Sequence, residues 1–219
     1  MRKKLVILAL LFLTTGCSAQ NLNDLSIEDC ANYVINSDVN IANINKVGYR
    51  YYLPRGFSVI NDVDYNETLI SDGNKYYMYI DIVSYYNNKT PTYNEDSNAY
   101  FSKKIKANNK EGFLEIREEN DKFFIEMMYN YAKIEVLVEE KDIKEAVTNI
   151  SYILSSLRYN KNVISNLIDE DVLDFEEKTY TLAKPKEEME TKNILEYAEE
   201  YDNYKDVNNE LPDTDMIDG

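Results

Sequence analysis

Residues 112–138 read GFLEIREENDKFFIEMMYNYAKIEVLV. Leu114 and Ile116 alternate with Glu115 and Arg117, and Ile134, Val136 and Val138 alternate with Lys133 and Glu135. A period of two belongs to strands with one buried face. The run divides into strands over Gly112–Glu118, Lys122–Tyr129 and Tyr131–Val138. Glu119-Asn120-Asp121 links the first two and Asn130 marks the turn between the next two, and connections this short oblige antiparallel neighbours.

Downstream the period changes. Ile143, Ala146, Val147, Ile150, Ile153, Leu154 and Leu157 fall on one stripe of a helix over 142–158, which has to bury that stripe against the sheet. Asp142 followed by Glu145 reads as an N-cap with Glu at N3, the capping-box arrangement. Upstream, Lys75–Tyr86 (KYYMYIDIVSYY) is the strongest strand signal, with Tyr76, Met78, Ile80 and Ile82 on one side and Tyr77, Tyr79, Val83 and Tyr85 on the other. Apolar residues on both sides predict a central strand covered on both faces, with Asp81 partly buried against a Lys or a Tyr hydroxyl. Shorter strand signals are Val47–Leu53, stopped by Pro54, then Phe57–Ile60 and Tyr65–Ile70, the last ended by the turn residues Ser71-Asp72-Gly73-Asn74. Residues 87–98 read as a surface loop, and Ala99–Lys106 as either a strand or a short helix. Near the start of this region Ser26 can cap a helix whose face holds Ile27, Cys30, Ala31 and Val34. Cys30 there is either a small buried hydrophobe or a reactive thiol. Helix, many antiparallel strands, helix gives an α+β domain over 26–160: an antiparallel sheet of about six to seven strands covered by helices.

Composition bounds the chemistry. The 219 residues hold 24 Lys+Arg, 40 Asp+Glu, no His, two Cys, six Gly and no Trp, a formal charge of −16. Without His there is no Ser-His-Asp or Cys-His pair and no histidine metal ligand. The glycines are too dispersed for a nucleotide-cradling loop, and an excess of anions opposes binding to nucleic acid. Asp62-Val-Asp64-Tyr-Asn66 has the first spacings of a calcium loop, but Glu67 stands where the tight turn needs Gly and Gly73 where the bidentate Glu belongs, so no dedicated metal site is expected. Forty acids make chance carboxylate pairs inevitable, and no cofactor is expected. Eleven of the 20 Tyr lie between residues 48 and 101, as core filling or as a binding patch. The accompanying 26 Asn read as A+T-rich coding.

The first twenty residues have their own pattern. Arg2, Lys3 and Lys4 precede an unbroken apolar run, Leu5–Leu13, and Thr14-Thr15-Gly16-Cys17 follows. A basic n-region, a short apolar core and small residues make a secretory signal, and nine apolar residues fall short of the about twenty that span a bilayer. A Cys directly after Gly16 resembles the lipobox of bacterial lipoproteins, with Thr14 standing where Leu is commonest. That resemblance implies cleavage between Gly16 and Cys17 and attachment of a diacylglyceryl group to the Cys17 thiol, with palmitate among the acyl chains. Several acyl chains anchor stably where one is marginal. The expected division is a signal peptide over 1–16, a tether over 17–25, the body over 26–160 and an acidic extension over 161–219.

Tyr52-Leu-Pro-Arg-Gly-Phe57, the meander over 112–138 and a closing helix ending Leu154-Ser-Ser-Leu157 resemble PsbP/Mog1-like domains. The resemblance covers about residues 24–160 and implies an antiparallel sheet sandwiched between helices, in a family that is largely non-catalytic and supplies accessory or adaptor proteins. The positions that match are packing positions and carry no functional residue across.

After Asn160 the composition shifts. Residues 169–177 hold six carboxylates in nine positions, a strand-like Thr179–Leu182 follows, residues 187–201 have a weak helical pattern, and Asn208–Gly219 reads as disordered. This extension is either a solvated appendage or a docking arm for a basic partner. The whole predicts a lipid-anchored protein on the outer face of a bacterial cell membrane, acting as a non-enzymatic accessory or protein-binding module with an envelope protein as partner. A solute- or glycan-binding lipoprotein using a Tyr-rich face is the alternative, and a carboxylate-dependent hydrolase a third.

Overall fold

The structure, a computed structural model, describes residues 22–169 and residue 177. The signal segment, Gly16, Cys17 and nearly all of the acidic extension lie outside the described residues. A single 3-10 turn (Leu22–Asp24) precedes helix α1 (Ile27–Asn36). Ser26 caps α1 as its sequence position implies: the hydroxyl oxygen accepts the Asp29 N–H at 3.0 Å. Cys30, Ala31, Val34 and Ile35 form the buried face.

A small sheet follows. β1 (Ile44–Lys46) and β2 (Tyr49–Tyr51) pair as a hairpin, and β10 (Arg158–Tyr159), from far along the chain, pairs with the other edge of β2. The single strand expected over 47–53 is therefore broken: Val47 and Gly48 form the hairpin turn. Gly48 has φ +85, and a Cβ there would also lie 3.0 Å from Ile164 Cγ1, so only glycine suits the position.

The main sheet has seven antiparallel strands in the order β3-β4-β5-β9-β8-β7-β6. They are β3 (Ser58–Val63), β4 (Asn66–Ser71), β5 (Asn74–Ile80), β6 (Phe101–Ala107), β7 (Lys110–Glu119), β8 (Lys122–Tyr129) and β9 (Ala132–Val138). The segment 99–106, open between strand and helix, thus resolves to strand from Phe101 onward. Every hairpin in this sheet turns on two left-handed residues: Asp64-Tyr65, Asp72-Gly73, Asn108-Asn109, Asn120-Asp121 and Asn130-Tyr131. Two-residue turns of this hand match the twist of the flanking strands, and Asn and Asp tolerate them best among residues with a Cβ. Part of the Asn excess is therefore turn chemistry.

The strand expected over 75–86 ends early. β5 stops at Ile80, and Asp81 caps the short helix α2 (Ile82–Tyr86), its Oδ1 accepting the Ser84 N–H at 2.8 Å. A short carboxylate offers the backbone a helical start that competes with the ladder. Asp81 is therefore a cap, and no member of a central strand.

α3 (Ile143–Ser156) lies on one face of the sheet, with Ser151 Oγ 3.7 Å from Met127 Sδ on β8. The core between them includes Met78, Ile125, Met127, Ile134 and Val136 from the sheet and Val147, Ile150 and Leu154 from α3, all buried. Each such side chain contributes roughly 1.5–3 kcal/mol of burial. α1 packs beside α3. The expected cap of α3 does not form: Asp142 closes a 3-10 turn (Glu140–Asp142), its backbone is helical at φ −96 and ψ −5, and its side chain makes no capping bond. An N-cap needs extended backbone. The body also runs past Asn160. α4 (Lys161–Asp169) inserts Ile164, which is fully buried, into the core. On the second face of the sheet, the loop over 87–98 lays Tyr93 flat on Phe113, with ring centroids 4.0 Å apart and planes at 3°.

Candidate functional site

β2 alternates, so Tyr49 and Tyr51 share one face, their rings stacked at 6.3 Å with an interplanar angle of 11°. Facing them, β4 brings in Glu67 in phase with Leu69. Glu67 is 1% exposed, yet it is an acid, and its partners are specific. The Tyr49 hydroxyl donates to Oε1 and the Tyr51 hydroxyl to Oε2, both at 2.6 Å. Lys46 Nζ lies 3.9 Å from Oε2 and bonds Asp62 on β3. Tyr65 tilts against Tyr49 at 5.6 Å and donates its hydroxyl to Val47 O at 3.3 Å.

Burial pushes the Glu67 carboxyl above the ordinary range; the two tyrosine hydrogen bonds and Lys46 pull it partly back, and Asp62 adds to the rise. Burial, and then the Glu67 charge, hold both tyrosine hydroxyls protonated far beyond ordinary pH. Burial pulls the Lys46 ammonium down, but Asp62 and Glu67 outweigh it and its pKa is raised. With both tyrosine donors consumed on one carboxylate, the cluster works as a clamp that fastens the small sheet to β4.

Beside the clamp the small sheet and the start of α4 border an open groove of about 640 Å³. Lys46 and Tyr49 belong to both clamp and groove, and Arg50, Arg158 and Lys161 add to the groove lining. Arg158 is fully engaged: Nη1 donates to Ser155 O and Leu157 O, and Nη2 to Asp38 Oδ1 and Val39 O, at 2.7 to 3.0 Å.

The outer face of the main sheet carries a second electrostatic feature. Glu115, Glu126 and Glu135 stand directly opposite one another on β7, β8 and β9. Like charges in that register repel. Arg117 bonds Glu115 at 2.9 Å, Lys133 bonds Glu135 at 2.7 Å and lies 3.7 Å from Glu126, Glu177 reaches Lys133, and Tyr93 donates to Glu115. Burial raises the Glu126 carboxyl, with Lys133 opposing it. These carboxylates are tied to cations on a sheet face and do not face each other across a cleft.

The residues weighed from sequence disperse. Cys30 is buried against α3, and burial pushes its thiol up. Asp62 bonds Lys46, Asp64 sits in a left-handed turn, and Asn66 donates to Asp64 O at 3.0 Å, so the calcium-like spacing does not converge. Among the described residues no group of three or more acids and thiols is placed to hold a metal ion. Of the eleven tyrosines between 48 and 101, Tyr100 alone is exposed; the others are buried or half-buried in packing contacts. Glu67, Lys46, Arg50 and Lys161 were not apparent from the sequence as a group. The available signal was Glu67 itself, an acid inside the strand-like run Tyr65–Ile70. No known family model matches the chain, and no curated protein matches it.

Proposed function

We propose that the chain is a lipid-anchored extracytoplasmic protein of a bacterial envelope, whose α+β body serves as a non-enzymatic accessory or binding module. The observation that carries this reading is the apolar run Leu5–Leu13 followed by Thr14-Thr15-Gly16-Cys17, which supplies both an export signal and a thiol for acylation. Net charge −16 adds a physical reason for the lipid, because an acidic body is repelled by an anionic membrane surface and needs a tether. The antiparallel sheet with a helical layer supports the PsbP/Mog1-like comparison, in which such bodies act as accessories. The groove beside Glu67 supports the binding-module reading, because ligands are held in concave surfaces.

Metabolic labelling with an alkyne fatty acid tests the anchor. Label is expected on wild type and lost in Cys17→Ser; equal label on both removes the assignment. A pull-down from envelope extract with the Cys17→Ser chain tests the accessory role. Enrichment of a defined glycan without a protein would replace it with the solute-binding reading, to which the groove gives a better location than the largely packed tyrosines.

A further inference from the structure

The groove on the small sheet reverses the charge of the chain that forms it. Acids outnumber bases 40 to 24 overall, yet among the described residues four cations line the groove, Lys46, Arg50, Arg158 and Lys161, and not one carboxylate does. Two of these cations are neutralised, Lys46 by Asp62 and Glu67 and Arg158 by Asp38. The other two, Arg50 and Lys161, are exposed and have no ion-pair partner among the described residues. Arg50 also stands directly opposite Arg158 across the β2–β10 pairing, like charges in register, and only Arg158 has a carboxylate bonded to it among the described residues. On its other side Arg50 faces Asn45, which offers an amide in place of a counter-charge.

We propose that this groove is a binding site for a phosphate group on a small polyol, with Arg50 and Lys161 as the cations that contact it. A free guanidinium fork and an ammonium suit the oxygens of phosphate. The remaining volume, about 640 Å³ in all, accommodates more than a bare ion, and Asn45 and Asn162 offer amides to hydroxyl groups beside it. A phosphate ester beside hydroxyl groups is presented by a soluble phosphomonoester and, as a diester, by a glycerophosphate lipid headgroup. The proposal rests on the binding-module reading and is independent of acylation.

The test uses the full chain carrying Cys17→Ser, titrated at constant ionic strength with inorganic phosphate, glycerol 3-phosphate and a short-chain phosphatidylglycerol, and followed by calorimetry and thermal melting. Saturable binding is expected, with Arg50→Gln and Lys161→Gln each weakening it about tenfold. Arg55→Gln, an exposed arginine outside the groove, should leave it unchanged. Arg50→Gln should fold as well as wild type or better, because it removes the facing Arg pair, so lost binding cannot be ascribed to unfolding. Tighter binding of the monoester assigns a soluble ligand, and tighter binding of the phosphatidylglycerol assigns a headgroup. No saturation beyond a chloride control, or equal affinity in wild type and both groove variants, overturns the proposal. Since the Cys17 labelling does not involve the groove, failure of one does not imitate failure of the other.

Discussion

Removing one oxygen atom tests the clamp. In Tyr51→Phe the ring remains in a site that is 0% exposed, but Glu67 Oε2 loses the hydroxyl that donates to it at 2.6 Å. Lys46, at 3.9 Å from that oxygen, is too far to replace the bond. A hydrogen bond to a charged group contributes about 1.5–3 kcal/mol, and an orphaned buried acceptor sits at the upper end of that range. The expected cost is about 2–3 kcal/mol near pH 7, a fall in Tm of roughly 4–12 °C for a domain of this size. The cost should depend on pH. The folded Glu67 carboxyl is raised above its ordinary value, so it takes up a proton more readily in the native state than when unfolded. Its contribution to stability is complete below the unfolded pKa and is lost as pH rises through the folded one. The Tyr51 hydroxyl favours the carboxylate, so deleting it matters most where Glu67 is charged. Urea melts at about pH 7 and about pH 4.5 should show the larger penalty at the higher value, and Glu67→Gln, which retains an acceptor and adds a donor, should remove most of the difference. A cost below about 0.5 kcal/mol near pH 7, or the same cost at both pH values, would refute the clamp.

Two further variants test the layers. Ile150→Asp places a charge at a fully buried position of α3 and should cost upwards of about 4 kcal/mol, visible as a large loss in thermal melting; unchanged melting would mean that α3 does not face the sheet. Gly112→Ala puts a Cβ 1.9 Å from Met128 O, a backbone atom with no room to move, so β7 and β8 must separate locally. Amide exchange should accelerate in both strands around residues 112 and 129, and unaltered protection there would contradict the pairing.

The meander and the closing helix were legible because their periods, 2.0 and 3.6, are local properties of the chain. The same logic failed where a short polar side chain overrode the pattern. Asp81 interrupts an apolar run and captures the backbone for α2, and the Val47-Gly48 turn splits what composition alone presents as one aromatic strand. Asp142 and Glu145 have capping-box spacing, but the preceding 3-10 turn gives Asp142 helical backbone. Glu67 was readable only as an acid inside a strand-like run, because β4 is buried in both phases and alternation does not single it out. Its partners are not local: Tyr49 and Tyr51 lie on a strand of another sheet. The groove is less legible still, because it joins residues 45–50 to residues 158–163 through a two-residue strand with no periodicity of its own.

Clamp and groove nevertheless share one strand, Tyr49 serving both. β2 is three residues long, and a strand so short has few ladder bonds to hold its position. Its first and third residues, Tyr49 and Tyr51, are tied to Glu67, and alternation sends the residue between them, Arg50, to the opposite face. The direction in which Arg50 points is therefore set by the hydrogen bonds behind it. An asymmetry between variants follows. Arg50→Gln should weaken phosphate binding while leaving folding intact, because nothing in the clamp depends on the guanidinium. Tyr51→Phe should lower stability and also loosen binding, because the strand that presents Arg50 loses half of its fastening. If Tyr51→Phe destabilised the body yet left phosphate affinity untouched, Arg50 would be held by its pairing with β1 and β10 alone, and the two faces of β2 would be energetically separate.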